Sequence, residues 1–393
     1  MIFPFLFSST PHIHFGVGSR SKLNELIAEF GSKVLLVTGS SSFDQSEHCL
    51  QLEQTLSRQF DLKRFKVSGE PSPTLVDQAV AEFSSFSPCC VVAVGGGSAI
   101  DAAKAIAGLL PSGDSVLEYL EGVGKGRDYQ GPSTPFIALP TTAGTGGETS
   151  KNAVLSEVGE NGYKKSFRHE TLVARHIILD PELTLDCPAG ITAACGMDAF
   201  TQLLESYVSS KANPMTDAMA LSGLVQVRDN LLRVVEDGSD LEARAGMLYA
   251  SSISGLTLAN AGLGSVHGLA SPLGAYFPIP HGVVCGTLLF EASNVNIRAL
   301  QEREPNHDSL EKYANVGRIF AQHEKMDSDA AREALLGIVQ AWSGRLRMPP
   351  LSHYGVAEID VNRIVTASRG NSMQTNPVLL TDEEIGGIIR RRL

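Results

Sequence analysis

The chain has 393 residues, 43% apolar and 19% charged, a globular composition that excludes a disordered or fibrous protein. At roughly 100–200 residues per domain, that length predicts two or three domains. Lys and Arg total 32 against 43 Asp and Glu, and the net charge of −11 excludes the broad positive field that nucleic acid or an anionic membrane selects.

In chain order, Met1–Phe7 is apolar but lacks a basic flank and a long apolar stretch, so it reads as a first strand and not a signal peptide. No apolar run approaches the ~20 residues of a membrane helix. A helical pattern over Ser21–Phe30 leads to a β-branched run, Lys33–Thr38, closed by Gly39. Helix Gln45–Phe60, strand Leu62–Val67, helix Thr74–Phe83, strand Val91–Val94 and helix Ala99–Leu110 follow, then strands Phe136–Leu139 and His176–Leu179. Strands alternating with helices predict a parallel sheet covered on both faces.

From about Thr192 the strand signal disappears. Ala193–Ser209, Pro214–Glu236, Leu241–Ala259, Leu310–Phe320, Asp329–Arg345 and Val361–Ser368 read as helices, and Arg298–Ser309 as an exposed loop. The prolines at 181 and 188 mark the boundary, giving an α/β domain over 1–187 and an all-helical domain over 188–393. The closing Arg390–Arg392 reads as a solvated helix end. Cys49, Cys89, Cys90, Cys187, Cys195 and Cys285 form no CxxC pair, which predicts reduced thiols in a cytoplasm.

Three constellations carry chemistry. Val94-Gly95-Gly96-Gly97-Ser98-Ala99-Ile100-Asp101 takes a strand through three glycines into a helix, where free N–H groups and close backbone approach suit a pyrophosphate. A tight βα turn with Ser98 as N-cap is the plainer reading. Pro140-Thr141-Thr142-Ala143-Gly144-Thr145-Gly146-Gly147-Glu148-Thr149 also follows a strand, and its N–H and hydroxyl groups could wrap phosphate and ribose, or it is a surface loop. Two such loops at strand C-termini reinforce each other, because open α/β sheets bind ligands there. Asp198, His267 and His281, in glycine-rich apolar surroundings, offer one carboxylate and two imidazoles to Zn²⁺ or Fe²⁺ with a position open for substrate. They are too far apart in the chain to form a local motif.

The blocks GGGSAIDAAKAIA at 95–107, PTTAGTGGE at 140–148, DPELT at 180–184, GMDAF at 196–200 and GLGSVHGLASPLGAYFPIPHG at 262–282 occur in family order, and the chain resembles the iron-containing (group III) alcohol dehydrogenases, of dehydroquinate synthase-like fold. The resemblance implies an N-terminal dinucleotide-binding α/β domain, a helical metal and substrate domain, and a cleft between them. It implies reversible hydride transfer between an alcohol and an aldehyde or ketone, with NAD(P)(H), one divalent metal, and a homodimer or larger assembly. It places Gly96, Gly97, Ser98 and Asp101 at the pyrophosphate loop, and Thr141, Thr142 and Thr145 at the nicotinamide side. Lys165 falls near the nicotinamide ribose, and Pro71 and Thr74 near the adenine.

Two positions depart from the family pattern. Gln202 stands where a ligand histidine follows Asp198 by one turn, so its amide oxygen is the fourth candidate ligand. Ser271 stands where a second histidine follows His267, and becomes the candidate for proton transfer alongside a ribose hydroxyl or water. Where many NAD-using relatives end the second strand with Asp, this chain has Gly39, Ser40, Ser41 and Ser42. Removing a carboxylate and adding hydroxyl donors predicts NADP(H) over NAD(H). Lys151, Arg168 and His169 raise the option of an acidic substrate. A dehydroquinate-synthase-like lyase using NAD transiently, and a nucleotide-binding protein with a decayed metal site, are the alternatives. The apolar Ile2–Phe7 is a candidate edge strand at a subunit interface.

Overall fold

The computed structural model describes residues 4–393. Its strands are β1 (His12–Phe15), β2 (Lys33–Gly39), β3 (Asp61–Val67), β4 (Cys90–Gly95), β5 (Phe136–Pro140), β6 (Asn152–Glu157), β7 (Tyr163–Arg168) and β8 (His176–Leu179). Six form one parallel sheet in the order β1-β8-β5-β4-β2-β3, while β6 and β7 pair antiparallel as a separate hairpin. The central strands read as continuous apolar runs because both faces are covered. Leu35, Val37, Val91 and Ala93 pack on one side; Val34, Leu36, Val92 and Val94 pack on the other. Helices α1 (Leu23–Ala28), α2 (Ser41–Gln45), α3 (Glu47–Ser57), α4 (Pro73–Phe83) and α5 (Gly97–Leu109) provide the cover.

The second half is helical: α6 (Ala189–Val208), α7 (Pro214–Glu236), α8 (Leu241–Ala261), α9 (Ser265–Tyr276), α10 (His281–Arg303), α11 (Asp308–Ala321), α12 (Ser328–Arg345), α13 (Val361–Ala367), α14 (Asn371–Gln374) and α15 (Asp382–Arg390). A third apolar core lies within it, with Phe200, Leu203, Leu269 and Leu288 among its buried members. No helix among the described residues is long and apolar enough to cross a membrane. All six cysteines are unpaired.

Several expectations need correction. Among the described residues the first strand is His12–Phe15; of the expected strand Met1–Phe7, residues 1–3 lie outside the described region and 4–7 are irregular, as are 8–11. Pro4 and Pro11 bracket that segment and cannot donate to a ladder, and the Ser8 amide donates instead to Asn260 Oδ1 at 2.7 Å. Arg298–Ser309 is mostly helix, since α10 runs to Arg303 and α11 starts at Asp308. Its charges form the solvent face of a helix whose Ala299 and Leu300 are buried. The terminal arginines do more than meet water. Arg391 pairs with Glu291 at 2.5 Å, and Arg392 donates to Thr287 Oγ1 at 2.7 Å, tying the C-terminus to α10.

Candidate active site

The C-termini of β2, β4 and β5 lie side by side at one sheet edge. The strand order reverses between β2 and β4, the place where open sheets form a ligand crevice. A Cβ on Gly95 would lie 3.2 Å from the Gly39 amide nitrogen, so the two strand ends meet only because glycine stands there. No side chain caps α5, and its N-cap is Gly96; Ser98 is a helical residue, so the alternative of a turn capped by Ser98 does not hold. The first N–H groups of α5 are thereby left to a ligand. The Thr141–Gly146 loop lies against them, with Thr142 within 3.3 Å and Thr145 Oγ1 within 3.2 Å of a Cβ built on Gly96 and Gly97 respectively. Gly146 has φ +60°, and a Cβ there would come within 2.4 Å of the Ser251 carbonyl on α8, which locks this loop to the helical half.

A cleft of about 2200 Å³ separates the two halves. Of the residues assigned to the cofactor, Gly39, Ser40, Pro71, Gly96, Gly97, Ser98, Asp101, Thr141, Thr142, Thr145 and Lys165 line it. Ser41 and Thr74 do not; both are exposed, in the first turns of α2 and α4. Lys165 is exposed and shares its face of the hairpin with Leu155, while its neighbour Lys164 is paired with Ser156 on the other face. There Lys164 Nζ binds Glu70 at 2.7 Å, and its charge reaches His281.

Beneath the loops lies a buried charge cluster. Lys104, fully buried on α5, donates to the carbonyls of Gly147 at 2.6 Å and Asn152 at 2.7 Å. Burial lowers its pKa to about 8 and raises Asp101 to about 6 and Glu148 to about 7. Lys104 thus pins the chain segment that follows the threonine loop, a function its place in an alanine-rich helix did not advertise.

Across the cleft, α6, α9 and α10 bring Asp198, His267 and His281 together. His267 Nε2 lies 3.2 Å from Asp198 Oδ1, and His281 Nε2 3.7 Å from the same oxygen. Cys285, one turn beyond His281, joins them, and the ligand atoms of all four lie within 4.8 Å of one another. Glu205, two turns beyond Asp198 on α6, sets the geometry. Its Oε2 is 2.6 Å from His267 Nδ1 and its Oε1 accepts the Val266 N–H at 2.7 Å, so one carboxylate caps α9 and turns His267 Nε2 toward Asp198. Burial alone would lower the His267 pKa, but Cys285, Asp198 and Glu205 raise it well above its usual value. Burial brings His281 down to about 4, while against its own burial Asp198 is held at about 2 by His281 and His267. These four side chains could hold a cation, and their donor chemistry fits Zn²⁺ or Fe²⁺. Because a carboxylate fixing a ligand histidine typically governs metal affinity, Glu205→Gln is expected to weaken metal binding by roughly 10- to 100-fold, measured by competition with a chromogenic chelator.

Gln202 donates through Nε2 to the Thr145 carbonyl at 3.1 Å, and its buried Oε1 has no hydrogen-bond partner. Ser271, one turn beyond His267, lines the cleft and donates to the Lys164 carbonyl at 3.4 Å. Of the cations considered for an acidic substrate, Lys151 and Arg168 line the cleft, where Lys151 pairs with Glu170 and Arg168 with Glu121 at 2.6 Å, while His169 caps a short turn.

Comparison with known proteins agrees with this arrangement. Residues 10–181 match the family model "Iron-containing alcohol dehydrogenase" and residues 192–393 match "Fe-containing alcohol dehydrogenase family, C-terminal". The chain is 28% identical to the NAD-dependent methanol dehydrogenase of Bacillus methanolicus, over 96% of this chain and 97% of that one. It is 32% identical to the 1,3-propanediol dehydrogenase of Klebsiella pneumoniae, over 92% and 91%. A crystal structure of a 1,3-propanediol oxidoreductase superposes with a TM-score of 0.90 at 30% identity, covering 100% of both chains.

Proposed function

The chain belongs to the iron-containing alcohol dehydrogenase family, and we propose that it interconverts a small alcohol with its aldehyde or ketone at one divalent metal ion, using NADP(H) in preference to NAD(H). The convergence of Asp198, His267 and His281 on the cleft, opposite two glycine-bearing strand ends, carries this reading. When bound, the ion supplies Lewis-acid polarisation of a carbonyl oxygen, and the dinucleotide supplies the hydride. The α5 N–H groups and the Thr141–Thr145 loop would hold the dinucleotide phosphates at the cleft wall. Glu205 keeps the His267 lone pair directed at the ion. Phe277 and Ile279, which line the cleft beside His281, exclude water from the reacting carbon. Ser271 Oγ is the first station for the alcohol proton.

Metal analysis and NADPH oxidation over an aldehyde and ketone panel test this on one sample. About one ion per chain, with turnover lost on chelation and restored by metal, is expected. No net NADPH oxidation would indicate a lyase that regenerates its dinucleotide; tight NADPH binding with neither metal nor turnover would indicate a binding protein.

The NADP(H) preference rests on Gly39 at the tip of β2, with Ser40 and Ser42 beside it on the cleft wall. Asp44, the nearby carboxylate on α2, is held by Lys66 at 2.6 Å and Arg64 at 2.7 Å. Gly39→Asp would place an unpaired carboxylate where the 2′-phosphate sits. A like-charge contact costs several kcal/mol, so kcat/KM for NADPH is expected to fall roughly 100-fold with little change for NADH. A parallel loss with both cofactors would sink the assignment.

The assembly proposed is a homodimer or larger, with β1 at the seam. Among the described residues this edge strand pairs only with β8, and Ile13 and Phe15 on it are exposed. The six unpaired thiols fit a reducing, cytoplasmic setting.

A further inference from the structure

We propose that Cys285 binds the ion as a thiolate, so that the coordination shell is Asp198, His267, His281 and Cys285. This rests on the metal-dependent reading above and goes beyond it, because position 202 no longer carries an imidazole and the chain makes up its ligand count from another helix.

The distances carry the argument. An ion bonded at about 2.0–2.1 Å to nitrogen or oxygen and about 2.3 Å to sulfur has tetrahedral ligand–ligand edges of roughly 3.3–3.6 Å. The observed separations bracket those values: His267 Nε2 to Asp198 Oδ1 is 3.2 Å, His281 Nε2 to Asp198 Oδ1 is 3.7 Å, and Cys285 Sγ is 3.6 Å from His267 Nε2 and 3.8 Å from His281 Nε2. Four donors from three helices therefore lie close enough together, all within 4.8 Å, for one ion to bridge them. His281 and Cys285 are four residues apart on α10, the spacing that puts two side chains on one helix face.

A lone buried thiol would satisfy itself with one weak hydrogen bond. Cys285 Sγ instead lies 3.6 and 3.8 Å from two imidazole nitrogens that also face Asp198, the position of a further donor around a shared ion. Gln202 anchors its amide nitrogen on Thr145 in the cofactor loop and leaves its Oε1 unpartnered, a neutral and harder donor than the Cys285 thiolate. Ligation breaks the S–H bond, forms a sulfur–metal bond and releases the proton to solvent; no electron moves. A thiolate in place of an imidazole softens the donor set, which favours Zn²⁺ over the harder Fe²⁺.

The test replaces the resident ion of the full-length protein with Co²⁺ and records its absorption spectrum. Wild type is expected to show tetrahedral ligand-field bands together with a thiolate-to-cobalt charge-transfer band in the near ultraviolet. Cys285→Ser and Cys285→Ala should keep the ligand-field bands, lose the charge-transfer band, and bind Zn²⁺ at least about 10-fold more weakly, with NADPH affinity and circular dichroism retained. Ligand-field bands without charge transfer in wild type would overturn the thiolate while leaving the metal site standing, and need no variant to fold. Charge transfer that persists in both variants would overturn it in favour of another cysteine. No cobalt spectrum in wild type would overturn this proposal and the metal-dependent reading together.

Discussion

His267→Ala is expected to empty the centre of its ion and to lower turnover at least about a thousandfold, because Lewis-acid stabilisation of developing alkoxide charge is worth several kcal/mol. The effect exceeds that of losing one donor among four. His267 joins Asp198 through Nε2 and Glu205 through Nδ1, and it is 8% exposed. Removing it leaves Asp198 and Glu205 as two buried carboxylates with no imidazole between them, a costly arrangement. Metal content by mass spectrometry and kcat on the same preparation check the prediction. Added imidazole should restore part of both. A variant that turns over at the wild-type rate without metal would exclude metal-assisted chemistry.

Lys104→Met is expected to cost about 3 kcal/mol of stability, the scale on which breaking a buried charge set is felt. The methionine fills the same channel but makes none of the bonds. The Gly147 and Asn152 carbonyls lose their donor, and Asp101 and Glu148 lose the nearest cation that offsets their burial. For a domain near 190 residues this corresponds to roughly 6–12 °C in melting temperature. The threonine loop rests on the segment Lys104 pins, so NADPH affinity should fall alongside stability. Differential scanning fluorimetry with and without NADPH measures both. An unchanged melting temperature would show that the buried cation contributes no net stability.

The parallel sheet was legible because strands covered on both faces must be apolar throughout, and Val34–Val37 and Val91–Val94 are. The hairpin was not. Tyr163–Arg168 carries three cations, and its single buried residue, Phe167, faces the core alone. Helices α9 and α10 were hidden by the glycines and prolines of the 262–282 segment, including Pro272 inside α9. Asp198, His267 and His281 stood out through their glycine-rich flanks and through family order. Glu205, Lys104 and Cys285 did not, because each acts through neighbours supplied by distant chain segments. For Cys285 the one local signal was its four-residue distance from His281. Thr74 stands outside the cleft because helix phase, which family order does not resolve to a single residue, turns it away.

The bond from Gln202 to the Thr145 carbonyl joins the helix that carries Asp198 to the loop that lies against the pyrophosphate cradle. Two ligands that share such a joint obey reciprocity: by whatever factor an ordered threonine loop improves the hold on the ion, a held ion improves the ordering of the loop. The free energy of loading both is therefore the same by either route, and any obligatory sequence of addition is a matter of rates alone.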